Sequence, residues 1–292
     1  MRTKLSCLSA LLLAACHAAP PAAPPGATSN GATSDGAFAE ATSHRRGADS
    51  QHESLALEVA RMMQSAFDTR RRVALENIAN ADTTAFKRRV ARLTSTPIRT
   101  TDGTVVEVPT VDVVEHDFSV GAIRQTQRSL DLAIDGEGFF AVTLEDGSVG
   151  FQRGGHLHLN AAGKLVTDDG RILLPEITVA DDLLDLVIDA RGRVTGRTAG
   201  SPDTVTQFGE LTLHRFVNPE GLLWERGVYR PTEASGTPRT GSPGDRGLGM
   251  LQQGFLEGSN VDGAQELYEL ELLDRRRHAL AGMLGRIAAF AR

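Results

Sequence analysis

Apolar residues recur on a narrow helical stripe near both ends of this chain, and that pattern constrains its fold more than any other feature. Leu55, Val59, Met62, Ala66 and Val73 fall at steps of four, three, four and seven, while Glu58, Arg61, Asp68 and Arg70 to Arg72 take the other faces. Far downstream, Leu273, Leu280 and Ile287 lie seven apart, and Leu270, Leu284 and Ala291 form a second row that Arg277 interrupts. A stripe this narrow is a seam rather than a core face. A helix opening region 55–93 and a second over 261–292 can shield their seams against each other and against copies from other chains.

Between them, 94–260 reads as β structure. Short apolar or alternating runs, Val105 to Val108, Leu130 to Ile134, Phe139 to Leu144, Lys164 to Thr167 and Gly209 to Phe216, are separated by turn signals such as Glu145-Asp146-Gly147, Asn160 to Gly163 and Asp168-Asp169-Gly170. Ser235 to Gly249 holds five glycines and two prolines and reads as an irregular crossing toward the last helix. The expected fold is a mainly β central domain flanked by N- and C-terminal α-helices that pair as a coiled coil. A lone subunit would leave much of the seam wet, so assembly of many copies is expected.

The first 54 residues obey a different logic. Arg2 and Lys4 precede an 11-residue apolar stretch, Leu5 to Ala15, and the small residues Ala14 and Ala15 lead into Cys16. A basic start, an apolar middle and a small-residue cleavage site make 1–15 a secretory signal. Leu13-Ala14-Ala15-Cys16 further resembles a bacterial lipobox, in which the cysteine is lipidated and heads the mature chain; an ordinary secretory signal with an incidental cysteine is the alternative. With Cys7 removed, a lipidated Cys16 leaves no thiol to pair, so the exported protein folds by packing alone. From 16 to 54 the chain is rich in Ala, Pro, Gly, Ser and Thr with Phe38 its one large apolar residue, and it reads as a disordered tether.

Composition narrows the function. Aromatic residues are 5% of the chain and the formal net charge is −6, which argues against nucleic acid as a partner. The longest apolar stretch is too short for the roughly 20 residues that span a bilayer. Gly136-Glu137-Gly138 imitates a dinucleotide fingerprint, but Phe139, Phe140 and Val142 come next as a strand, not as the helix whose N-terminus would meet a pyrophosphate. His156 and His158 share one face of a strand and could supply two ligands to zinc, yet no third stands beside them, so exposed strand histidines are the better reading. Asp131 and Asp135 could pair for acid/base work; Asp135 before its Gly-Glu-Gly turn is better explained as an acceptor for turn N–H groups. No catalytic centre, cofactor, metal site or small-molecule substrate is nominated. Arg70 to Arg72, Lys87 to Arg89 and Arg275 to Arg277 read as solvated helix faces, or else as partners for Glu266, Glu269 and Glu271 on neighbouring subunits.

Three ordered blocks then carry a family resemblance. Leu75 to Lys87, containing Asn77-Ile78-Ala79-Asn80, Thr83 and Phe86-Lys87, resembles the N-terminal signature of the bacterial flagellar axial proteins that build the rod and hook. Here asparagine also suits a left-handed helix close at Asn77 and Asn80. Gly121 to Phe140, with Asp131, Asp135, Gly136, Gly138, Phe139 and Phe140, resembles the central hallmark, continuing through Phe151-Gln152-Arg153-Gly154-Gly155. Gly247 to Asp262, with Glu257-Gly258-Ser259-Asn260-Val261, is similar to the family's approach to the C-terminal helix. Within the family these blocks are most similar to the distal-rod type, over about Leu55 to Leu273.

The resemblance implies paired terminal helices in an inner layer, a β domain outside, and a helical filament of identical copies. Its function would be mechanical, carrying motor torque through the periplasm in contact with other rod, hook or ring proteins. Three departures stand out: Ala85 where the family has glycine, Glu76 where it has asparagine, and Asp274 to His278 in place of a Gln-Arg-Ala-Tyr-like stretch. A lipoprotein signal also conflicts with export through the flagellum's own channel. The alternative expectation is a periplasmic paralogue, anchored to a membrane through a lipid on Cys16, that acts as a scaffold or binding module without polymerising.

Overall fold

The computed structural model describes residues 35–99 and 103–290. The chain divides into two units, Met1–Ser50 and Gln51–Arg292; the helix pair and the β body belong to the second, and the beginning of α1 falls in the first. Helix α1 spans Asp35–Ala79 and α2 spans Gly263–Phe290. The first helix starts well before Leu55, inside the segment expected to be a tether. Residues 35–54 contain no proline, and Ala37, Ala39, Ala41 and Ala48 among charged residues extend a helix that the amphipathic part downstream already holds. The signal, Cys16 and the rest of the expected tether lie outside the described residues, as does Ala291. No helix among the described residues is long and apolar enough to cross a membrane.

The two helices pack together antiparallel. Ala66 and Val73 of the first stripe and Leu273 and Leu280 of the second are buried, joined by Ala60 and Ala74. Ion pairs run along the contact: Arg70 with Glu269, Arg71 with Asp274 at 3.1 Å and Asp68 with Arg277 at 2.9 Å. Leu55, Val59, Met62, Leu270 and Leu284 are only partly covered within one chain. Leu267 and Tyr268 of α2 are exposed outright, at 57% and 68%. The start of α2 is capped by Asp262, whose carboxylate accepts from the N–H groups of Ala264 (3.0 Å) and Gln265 (3.1 Å).

Between the helices the described residues form a β body. In chain order the strands are β1 (Arg89–Arg99), β2 (Val105–His116), β3 (Ile123–Gln125), β4 (Asp131–Asp135), β5 (Phe140–Thr143) and β6 (Val149–Gln152). Next come β7 (Gly154–Leu159), β8 (Leu165–Thr167), β9 (Leu173–Leu174), β10 (Leu183–Ile188), β11 (Arg193–Thr198) and β12 (Ser201–Glu210). The last are β13 (Leu213–Arg215), β14 (Leu223–Glu225), β15 (Val228–Arg230), β16 (Arg239–Gly241), β17 (Met250–Gln253) and β18 (Phe255–Glu257). They assemble as a four-stranded sheet β17-β4-β7-β8, a five-stranded sheet β14-β15-β6-β5-β9, a three-stranded sheet β10-β11-β12 and the pairs β1-β2, β13-β16 and β18-β3. The predicted run Gly209 to Phe216 breaks after Glu210, because Leu211 N–H turns to the Gly192 carbonyl (2.7 Å). The glycine-rich crossing contributes β16.

Strand periodicity divides the core. Phe139 and Phe140 are adjacent and therefore point to opposite sides. Phe140 enters the main cluster with Leu132, Ile134, Val142 and Leu165, while Phe139 enters a second cluster with Phe151, Phe216 and Tyr229. The second cluster is stacked edge to face, with Phe151 and Phe216 centroids 5.0 Å apart at 89°, a geometry that adds about 0.5–1.5 kcal/mol per pair beyond burial. The turn between β4 and β5 needs glycine: Gly136 has φ 121°, and a Cβ on it would lie 2.8 Å from Gly249 Cα. The loop leads into β5, so no helix N-terminus faces it.

Candidate functional site

The three blocks singled out in the sequence meet where α1 enters the β body. Asn77, fully buried near the end of α1, faces the first residue of β1: its Oδ1 accepts from Arg89 N–H (2.8 Å) and its Nδ2 donates to Arg89 O (2.9 Å). The side chain thereby imitates a strand partner and pins helix to sheet. Asn80 donates to Glu76 O (2.8 Å), satisfying a carbonyl of the last turn, and accepts from Thr83 Oγ1 at 3.1 Å. Ile78 and Ala79 complete that turn. The sequence pattern suggests a left-handed close at Asn77 and Asn80, but neither asparagine has a positive φ; in this segment it falls on Ala85, at 55°. The Ala85 N–H is held there by the Glu257 carbonyl (2.8 Å). For a residue with a Cβ that conformation costs about 1–2 kcal/mol.

Two residues on, Lys87 is wholly buried. Its Nζ donates to Glu257 Oε1 (2.5 Å) and to Ser119 O (2.6 Å). Glu257 Oε1 also accepts from Gly121 N–H (2.9 Å), and Oε2 accepts from Arg153 Nε at 3.1 Å. Arg153 in turn donates to Gly138 O (2.7 Å) and Ile134 O (3.3 Å), which ties the central block into the same knot. Burial pushes the Lys87 ammonium below its ordinary range; Arg153 adds to the lowering, while Glu257 pulls the other way. Gly121 is required by space, since a Cβ on it would stand 2.1 Å from Gly258 O.

Asn260 closes the knot from the C-terminal side. Its Oδ1 accepts from Arg88 N–H (2.6 Å), and its Nδ2 donates to Asp117 O (2.8 Å) and Ser119 O (3.1 Å). Gly258 N–H bonds Ala122 O (2.8 Å), Asn260 N–H bonds Phe86 O (3.3 Å), and Val261 N–H bonds Ser259 Oγ (3.2 Å). The neighbouring flank is aromatic: His116 packs edge-on against Tyr229 (5.4 Å, 88°) and beside Phe118 and Trp224. Burial lowers the His116 pKa to about 4, with the Arg89 charge contributing, and burial raises that of the Tyr229 phenol.

Several expectations are corrected here. Lys87 to Arg89 is not a solvated face, because Lys87 is interior, Arg88 pairs with Glu266 on α2 (2.5 Å) and Arg89 pairs with Glu76. The acids expected to serve neighbouring subunits are met within the chain: Arg70 takes Glu269, and Arg275 takes Glu271 at 2.6 Å. Asp135 accepts from the Gln252 amide (2.9 Å) instead of turn N–H groups, and Asp131 bonds His156 Nδ1 (2.7 Å). The two aspartates thus have separate partners. Sequence reasoning does not nominate Arg153 or His116, although a lone arginine between an apolar strand and two glycines is a readable sign of a buried cation.

All of this polar chemistry joins the chain to itself. It locks the β body onto the paired terminal helices, and the comparisons with known proteins give this arrangement its class. Residues 133–196 match the family model described as flagellar hook protein FlgE/F/G D1 domain. The chain is 35% identical over 233 residues to flagellar basal-body rod protein FlgG of Agrobacterium fabrum, covering 74% of this chain and 88% of that protein. It is 39% identical over 158 residues to the FlgG of Buchnera aphidicola subsp. Schizaphis graminum, 53% of this chain and 60% of that one. Against flagellar basal-body rod protein FlgF of Escherichia coli K12 the identity is 27%, over 70% of this chain and 82% of that protein. The chain belongs to the flagellar basal-body rod protein family and is a structural protein, not an enzyme.

Proposed function

We propose that this chain is a distal-rod-type subunit that polymerises into a periplasmic shaft and transmits motor torque, in contact with further copies and with other rod, hook or ring proteins. The observation that carries the reading is the buried joint of Lys87, Glu257 and Arg153 beneath a helix pair whose outer apolar residues, Leu267 and Tyr268, stay exposed. Torsion passes through a subunit only if its inner helices cannot swivel against its outer body, and the joint prevents that motion. The uncovered apolar positions give copies a surface to share, and a contact that does not close on itself builds a filament.

Complementation tests this. A strain lacking its distal-rod subunit should regain motility with the wild-type chain and not with a Leu267→Asp/Tyr268→Asp double variant that still folds. Intact rods built without the chain, or full motility with the double variant, would overturn the reading.

A second reading, a lipid-anchored periplasmic paralogue without axial polymerisation, is favoured by Leu13-Ala14-Ala15-Cys16 and by the Asp274 to His278 departure. Mass spectrometry of the mature N-terminus separates the two. A diacylated Cys16 supports the anchored form, and an intact Met1 supports the shaft.

A further inference from the structure

Away from the joint, strand β7 presents His156 and His158 on the face opposite buried Leu157, two residues and so roughly 7 Å apart along the strand. What the sequence lacks is the residue behind them. His156 lies directly across from Asp131 on β4, and its Nδ1 is 2.7 Å from Asp131 Oδ1. Asp131 is fully buried. An ionised carboxylate only accepts, so in the neutral ring the proton sits on Nδ1 and Nε2 offers its lone pair.

We propose that His156 and His158 form an open two-ligand site for a divalent transition cation of the zinc, copper or nickel class, with Asp131 as the carboxylate that orients His156. Three observations carry it. Neither His156 Nε2 nor the ring of His158 has a hydrogen-bond or ion-pair partner among the described residues. The buried Asp131 carboxylate is short of positive charge: its Oδ2 is buried without a partner, and the nearby cation, Arg128 at 3.6 Å, is largely exposed. A dication on Nε2 polarises the ring, strengthens the Nδ1–H donation to Asp131 Oδ1 and brings positive charge toward this carboxylate. A carboxylate, histidine and metal in line is the arrangement by which second-sphere groups fix a ligand's tautomer and raise its basicity. Among the described residues no set of three or more His, Cys, Asp or Glu side chains surrounds a cation, so water fills the remaining positions and the site is open rather than structural.

The test uses the full chain with its histidines labelled with nitrogen-15, titrated with zinc alone. The ring signals of His156 and His158 should move together, and those of His278, on α2, should stay. His158→Ala, at an exposed position, should weaken this binding at least tenfold. Asp131→Asn should weaken it about 10–100-fold while leaving both rings in place. Unmoved His156 signals, or undiminished affinity in His158→Ala, would overturn the site; a folded Asp131→Asn chain binding like wild type would overturn the role of Asp131. If Asp131→Asn fails to fold, the His156 signals and the His158→Ala titration still decide the site.

Discussion

Oppositely charged side chains hold the terminal helices in two places, and they do so under opposite physical conditions. In the joint, Lys87, Glu257 and Arg153 have side chains no more than 2% exposed. Along the helix seam, Arg71 and Asp274 are each 39% exposed. An exposed pair is worth about 0–1 kcal/mol because water already solvates both partners well. A buried group has left that solvation behind, so removing one partner strands the others at a cost of about 3–5 kcal/mol. The same chemistry therefore serves as an obligate lock at one end of the helices and as an adjustable guide along them. That division suits the proposed shaft subunit, whose body would be held against swivelling while its helices settle against neighbours.

The largest effect expected is from Glu257→Gln, which leaves two buried cations facing each other; stability should fall by about 3–5 kcal/mol. Lys87→Met leaves one anion with one cation and should cost clearly less. Chemical denaturation of both variants checks the ordering, and equal losses would show that packing, not charge, makes the lock.

Acid should weaken the aromatic flank of the joint next. The His116 pKa is lowered from 6.5 to about 4 in the folded chain, so the unfolded chain takes up a proton that the folded one refuses. The stabilisation is whole above pH 6.5 and is lost as pH falls from there to about 4, by on the order of 3 kcal/mol. Denaturation midpoints across that window should slope in wild type and flatten in His116→Phe. Smaller again, Asn77→Ala should cost about 1–3 kcal/mol by leaving both backbone groups of Arg89 without their partner.

Legibility in the sequence depends on what a chain encodes locally. The helices announce themselves through Ala66, Val73, Leu273 and Leu280, because a buried stripe repeats at the helical period. Phe139 and Phe140 are legible as a strand, and only the fold shows that they serve two different cores. Asn77, Lys87, Glu257 and Asn260 stand in the blocks that carry the family resemblance, but Lys87 and Glu257 meet across 170 residues of chain, a contact that no local pattern announces. Lys87 reads as solvated from sequence since a lysine beside two arginines ordinarily is. The early start of α1 is hidden by glycines and small polar residues that look like a linker.

Ala85 gives a smaller effect with the opposite sign. Its φ of 55° costs an alanine about 1–2 kcal/mol, and glycine's greater freedom in the unfolded chain returns about 0.5–1 kcal/mol of that. Ala85→Gly should therefore raise stability by roughly 0.5–1 kcal/mol, seen as a higher denaturation midpoint. A drop would mean that the Cβ makes a contact worth more than the strain.

The smallest effect tests the seam itself. A double-mutant cycle on Arg71→Ala and Asp274→Ala should return a coupling of about 0.2–1 kcal/mol, measured by denaturation at low salt. Repeating it near 1 M salt, where screening acts over about 3 Å, should remove most of that coupling. The loss caused by Glu257→Gln should hardly change in the same buffer, because ions do not reach a buried carboxylate. A seam coupling that survived high salt would place Arg71 and Asp274 in the same dry environment as the lock, and the helices would then be fixed along their length instead of free to adjust to their neighbours.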